Sequence, residues 1–260
     1  TASADTTVTN AYKTDLITRG TGSNMGNADV LEVFSIYGQA SASSDELSRI
    51  LIKFPTTEIS ASRANSDIPA SGNVDFYLQL YNTRHALTLP KNFTLEVRPL
   101  TTDWEEGKGL DMEGYKDETY ELVGANWLYA SSGTAWSIPG GDFKDDDHDT
   151  RVFYQKFEDG TENLEIDISE LVEEWLGAGA APALQNYGVG VFLTSSQEDG
   201  SQERSFYTKK FFARGTEFFY KRPIIEARWD SAKKDDAGNF YLSSSLADAT
   251  DNLNTLYLYN

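Results

Sequence analysis

Val74-Asp75-Phe76-Tyr77-Leu78-Gln79-Leu80-Tyr81 sets Phe76, Leu78 and Leu80 on one side of an extended chain and Tyr77, Gln79 and Tyr81 on the other. A repeat of two residues is the signature of a β-strand with one face in the core and one in water. Similar runs recur on both sides of it: Val30–Tyr37, Arg49–Phe54, Phe93–Val97, Leu164–Ile168, Tyr187–Leu193 and Ile224–Trp229. Turn chemistry separates them, at Ser71-Gly72-Asn73, Pro139-Gly140-Gly141, Asp159-Gly160 and Asp199-Gly200. Many short strands with such punctuation read as an antiparallel β-sandwich or barrel.

Composition points the same way. The 260 residues include 14 Tyr, 14 Phe, 5 Trp and 20 Gly, a profile rich in strand-forming aromatics. One helix is expected at about 168–177, because Ile168, Leu171, Val172, Trp175 and Leu176 fall at helical spacing. Asp167 with Glu170 suggests a capping-box-like start, and Gly177 an end. The reading gives a sandwich domain over 1–229. A polar arm or linker over 230–260 follows, closing on the strand-like run Leu256-Tyr257-Leu258-Tyr259 and expected to continue past Asn260.

Charge excludes whole classes of partner. With 22 basic and 41 acidic residues, the net charge is −19. Such a field repels phosphate, so neither a nucleic acid nor an anionic membrane is expected as partner. No apolar run is long enough for a transmembrane helix, and Thr-Ala-Ser-Ala-Asp at the start has neither the basic nor the apolar region of a signal peptide. The absence of cysteine excludes disulfides and thiolate chemistry, and only two histidines, His85 and His148, are available as bases. No phosphate-binding loop, nucleophile elbow or dinucleotide fingerprint is present.

Four clusters could carry chemistry. Asp145, Asp147 and Asp149 have the i, i+2, i+4 spacing of calcium-loop ligands within the acidic run Asp142–Asp149, though Thr150 stands where an EF-hand needs glycine; a solvated acidic loop is the alternative. Trp127, Trp136 and Tyr129 could stack on a sugar, or fill a thick core or an interface. Glu105 and Glu106 beside Trp104 are adjacent carboxylates, which in a strand point to opposite faces and cannot easily flank one glycosidic bond. Phe206, Tyr207, Phe211, Phe212, Phe218, Phe219 and Tyr220 sit among Arg204, Lys209, Lys210, Arg214, Lys221 and Arg222, the only basic stretch, which is either a contact between subunits or two hairpin strands whose cations pair with an acidic neighbour.

The order of segments resembles a known family. Arg49–Phe54 resembles the R-x-L-[IVL]-[KR]-F strand of DNRLRE-type carbohydrate-binding-like domains, and Val74–Tyr81 their following A-x-L-x-L-Y strand. Asp103–Gly107 looks like their W-x-E loop, and Ala135-Trp136 like a later x-W element. Leu164–Gly177 is similar to their strand-helix unit D-[IV]-[TS]-x-L-V-x-x-W. Asn186–Val189 resembles N-x-G, and Arg222–Glu226 the closing R-P-x-L-x-V strand. The resemblance spans about residues 5–229 and implies a jelly-roll-like antiparallel β-sandwich with one short helix, a fold that serves as a sugar-binding or adhesive module. Thr18–Gly26, Ser205–Arg214 and Asn239–Asn260 also resemble structural proteins of marine tailed bacteriophages. Together these imply a non-enzymatic virion component, a homo-oligomer contacting copies of itself or other virion proteins. The alternative is a secreted carbohydrate-binding module with glycan as partner. Calcium is the one cofactor with a candidate site.

Overall fold

A computed structural model of the chain describes residues 1–85, 89–110, 124–144, 151–177, 184–199 and 206–232. The alternation at Val74–Tyr81 becomes strand β4 (Asp75–Leu80), with Phe76, Leu78 and Leu80 fully buried and the residues between them facing outward. Around it the described residues form β1 (Ala4–Thr9), β2 (Val30–Tyr37), β3 (Asp45–Lys53), β5 (Phe93–Pro99), β6 (Tyr129–Ser131) and β7 (Thr134–Ala135). They continue with β8 (Phe153–Phe157), β9 (Leu164–Asp167), β10 (Val189–Leu193), β11 (Phe206–Phe212) and β12 (Ile224–Arg228). Three short helices interrupt them: α1 (Thr57–Ala64), α2 (Ser169–Trp175) and α3 (Ser195–Glu198). The chain divides into two units, Thr1–Arg228 and Trp229–Asn260. Of the arm expected over 230–260, residues 233–260 lie outside the described ones.

The fold is an all-β, jelly-roll-like antiparallel sandwich. The larger sheet has the order β11-β2-β3-β10-β5-β8, with β1 also pairing β3; the smaller is β12-β4-β9. The inner core lies between them. Ile50 and Ile52 of β3, Val189 and Val191 of β10, and Leu95 and Val97 of β5 meet Phe76, Leu78, Leu164 and Ile166 of the smaller sheet. Phe93 stacks on Phe157 at 5.1 Å between ring centres, closing the β8 end. Helix α2 adds Leu171 and Val172 to the same core.

One local expectation changes, and helix α1 is new. Asp167 does not form a capping box; its carboxylate accepts from the Ser169 backbone N–H (2.9 Å) and hydroxyl, which turns the chain into α2. Gly177 does end the helix, with φ of 79°. Helix α1 went unforeseen because Thr57–Ala64 buries no residue and so shows no apolar period.

The larger departure concerns the outer face of the larger sheet. A two-layer sandwich leaves that face to water, but here Leu47 and Leu51 of β3 point outward and are buried. They belong to a second core with Val8, Leu100, Trp104, Trp127 and Trp136. The segment 124–144, with its β6–β7 hairpin, forms the cover. Asn24 fastens the cover's entry: its amide donates to Glu106 O (2.9 Å) and Ala125 O (2.8 Å) and accepts from Gly26 and Gly109 N–H. All four hydrogen-bonding positions of this buried side chain are filled, as burial demands.

Truncation tests the second layer. Leu51→Ala should cost about 2–5 kcal/mol in urea unfolding, as much as Ile50→Ala on the opposite face. A cost of about 0.5 kcal/mol or less would mean that Leu51 faces water.

Candidate functional site

Beside the cover, the outer face of the larger sheet opens into a cleft of about 300 Å³. Side chains from three neighbouring strands floor it: Arg49 from β3, Phe192 from β10, and Glu96 and Arg98 from β5. Ile138 and Phe143 come from the cover, and Glu198 from α3. Gly190 of β10 makes room for Phe143, since a Cβ there would lie 2.1 Å from the ring.

Arg49 organises the cleft. Its Nη2 donates to Glu198 Oε2 at 2.7 Å and its Nε to Glu198 Oε1 at 3.3 Å. Its Nη1 donates to Gly140 O at 3.3 Å. The guanidinium also lies 5.2–5.6 Å from the ring centres of Phe192, Trp127 and Phe143, within range of a cation–π attraction. Burial pushes the Glu198 carboxyl above its ordinary range; Arg49 opposes this and the nearby Glu96 carboxylate adds to it. Glu96 itself pairs with Arg98. Among the described lining residues the four charges pair off, Arg49 with Glu198 and Arg98 with Glu96. The cleft's forked donors and acceptors beside phenyl rings suit a neutral, hydroxyl-rich ligand.

The three aromatics expected to meet a sugar fare differently. Trp127 and Trp136 are 7% and 5% exposed and belong to the second core, and the Trp136 indole N–H is used by Asn126 O (2.8 Å). Neither ring offers a face to a ligand, because both cover the apolar outer face of β3. Tyr129 sits half-buried in β6. The candidate calcium ligands Asp145, Asp147 and Asp149, and His148, lie outside the described residues. Asp142 is described and holds the loop together. Its carboxylate accepts from the backbone N–H groups of Ser137 (3.1 Å) and Ile138 (3.0 Å) and from the Thr102 hydroxyl (2.8 Å). Partial burial disfavours its charge, but these hydrogen bonds outweigh it and hold the carboxyl below its usual range.

Of the two readings of the basic stretch, pairing within the chain describes its residues 206–214. Arg204 lies outside the described residues. The remainder runs through β11, which pairs with β2. Lys209 points inward and is fully buried: its Nζ donates to Asn82 Oδ1 (2.7 Å), Gly160 O (2.9 Å) and Glu162 O (2.6 Å), above the rings of Phe157 and Phe211. Burial pulls its pKa down to about 8. Phe211 is buried in the inner core, Lys210 pairs with Glu32 at 3.2 Å, and Phe212 packs edge-on against Phe218. Arg214 Nη2 pairs with Glu106 Oε2 at 2.5 Å, while its backbone N–H donates to Asp5. These cations are spent on their own chain, as the acidic excess allows. His85 accepts from the Lys210 N–H, and burial, with Lys209 and Lys210 nearby, drops its pKa to about 4.

The downstream end of the same basic stretch, 218–222, is placed differently. Phe218, Phe219 and Tyr220 are 50%, 63% and 89% exposed. They lead into and occupy the 3-10 turn Phe219–Lys221, and Phe219 meets Tyr220 edge-on at 5.5 Å. Lys221 lies over Phe212 and Phe218, and Arg222 over Phe219. Among the described residues neither cation has a carboxylate partner. The sequence placed these aromatics in the same basic stretch as 204–214; only the fold separates the exposed from the buried.

No protein-family model matches this chain, and no curated protein matches it.

Two outcomes check the electrostatics. Arg49→Met strands Glu198 and should cost about 3–5 kcal/mol, whereas Lys156→Met, which breaks an exposed pair with Glu158, should cost about 1 kcal/mol or less. Equal costs would mean that the Arg49–Glu198 pair is solvated. Asp5 is nearly inaccessible, and burial raises its pKa to about 7 with Glu106 reinforcing and Arg214 opposing. The folded chain therefore keeps a proton there that the unfolded chain has already released, so stability falls as pH rises from about 4 to about 7. Asp5→Asn should flatten this slope in unfolding curves taken across that window; an unchanged slope would refute the assignment.

Proposed function

We propose that this chain is a non-enzymatic structural protein of a virion, a rigid sandwich that assembles with copies of itself. The observation that carries this reading is the exposed aromatic ridge Phe218-Phe219-Tyr220, flanked by Lys221 and Arg222. Large aromatics and arginine are the residues that anchor protein interfaces. On a chain with net charge −19, two cations without a carboxylate partner among the described residues complement the acidic surface of a second copy. The setting in a virion comes from the resemblance to tailed-bacteriophage structural proteins at Thr18–Gly26, Ser205–Arg214 and Asn239–Asn260.

A second reading, glycan adhesion, is favoured by the Arg49–Glu198 cleft, whose paired charges and phenyl walls suit a neutral sugar. It shifts the sugar site expected at Trp127, Tyr129 and Trp136 to this cleft.

Mass photometry and sedimentation of the whole chain test the first reading. Self-association is expected, weakened about tenfold or more by Phe218→Ser/Phe219→Ser/Tyr220→Ser, the loss expected for interface anchors. A wild-type chain that stays monomeric at high micromolar concentration overturns it. For the second, titration with neutral glycans should quench tryptophan fluorescence, and Ile138→Asp at the exposed rim of the cleft should abolish the response. Silence across neutral and acidic glycans rules it out.

A further inference from the structure

The smaller sheet has an open side. Strand β12 pairs with β4 along Ile224↔Gln79 to Arg228↔Asp75, and β4 pairs with β9 beyond it. Among the described residues no strand pairs with the other edge of β12. The core is also thinner there. Ile225 and Ala227 face inward yet are only half-buried, while Phe76 and Leu78 on the neighbouring strand are fully buried. A groove of about 210 Å³ runs beside them, walled by Ile59, Ile68, Phe76, Ile225 and Ala227. An edge with free backbone groups and an apolar wall is a template for an added strand.

The sequence of the edge selects the strand that fits. In an antiparallel pair related by a two-fold axis, the numbers of facing residues have a constant sum. Side chains must also stay on their own face, which leaves registers centred on a single residue. Centring on Glu226 would set like charges against each other. Centring on Ala227 places Glu226 of one copy opposite Arg228 of the other, twice, and meets at the smallest side chain of the strand. Opposite charges at facing positions favour a pair and like charges oppose it. Within one chain Arg228 holds Glu226 at 2.7 Å and reaches over Tyr77 of β4 to Glu165 of β9 at 2.7 Å, so in the paired edge it exchanges Glu165 for Glu226 of the second copy.

We infer that the free edge of β12 pairs antiparallel with β12 of a second copy of this chain, centred on Ala227, joining two three-stranded sheets into one of six. This rests on the reading of the chain as a self-assembling structural protein and names one surface by which it assembles. The alternating charges otherwise serve to keep strand edges apart; here they are self-complementary in one register only.

Charge exchange on the full chain tests this by sedimentation velocity. Arg228→Glu puts a carboxylate opposite Glu226, and Glu226→Arg puts a guanidinium opposite Arg228. Each single variant should weaken the dimer by about tenfold or more, and Glu226→Arg/Arg228→Glu should restore it. The chain has no cysteine, so Ala227→Cys can form a disulfide only between copies. Facing residues in an antiparallel pair lie about 4.5–5.5 Å apart at Cα, within disulfide reach. Mild oxidation should therefore yield a covalent dimer, while Ser71→Cys, in an exposed turn, should not. Single variants that leave assembly unchanged, a double variant that does not restore it, or no crosslink at Ala227→Cys overturn the inference. If the wild-type chain still assembles in that case, the proposed function survives; a wild-type monomer defeats both.

Discussion

Strand β3 has no face in water, and the rest of the unit follows from meeting that constraint. Its inward residues Ile50 and Ile52 meet the smaller sheet, as in any sandwich. Its outward residues Leu47 and Leu51 would leave apolar surface exposed unless something covered them. The cover is assembled from indole rings, Trp104, Trp127 and Trp136, which supply large buried area from a short stretch of chain. Indoles carry a polar N–H, and Trp104 and Trp136 satisfy theirs on Tyr187 O and Asn126 O. β3 is also the strand with the most partners, pairing with β1, β2 and β10. One strand thus ties together the larger sheet and both hydrophobic layers.

Covering a sheet face that also carries charge forces the charges to pair. Arg49 lies on the same side of β3 as Leu51, so its guanidinium needs Glu198 and the surrounding rings. Lys209 lies among inward residues of β11, and its ammonium is held by two backbone carbonyls and an amide oxygen. Arg214 is taken up by Glu106, beside the buried Asp5. In a chain with nearly two acids per base, pairing of this kind consumes cations that sequence reading offers as contacts. Among the described residues Lys221 and Arg222 meet aromatic rings rather than carboxylates.

How much was legible depended on whether a residue's surroundings were local. The alternation of Phe76, Leu78 and Leu80 is local, and it located β4 and the sandwich; the 3.6-residue spacing of Leu171 and Val172 likewise located α2. Strand β1 escaped notice because Asp5, Thr6, Thr7 and Thr9 are polar yet buried, with hydrogen bonds to distant partners replacing an apolar pattern. The tryptophans were visible as a cluster, but whether rings face water or a sheet is decided by what packs beneath them, here β3, some fifty residues or more upstream. The same holds for Lys209, whose acceptors come from Asn82 and from the turn at Gly160–Glu162. The cleft at Arg49 joins three strands, the cover and α3, far apart in sequence, and no spacing announces it.

The central claim, that the indole layer and the sandwich core form one cooperative body around β3, is tested most directly by native-state hydrogen exchange. The Trp104 and Trp136 indole N–H groups should exchange with the same opening free energy as the backbone amides of Ile50, Leu51 and Ile52, because none can open unless β3 is uncovered on both faces. Indoles that exchange orders of magnitude faster, while the β3 amides remain protected, would mean that the cover opens on its own and that β3 does not depend on it.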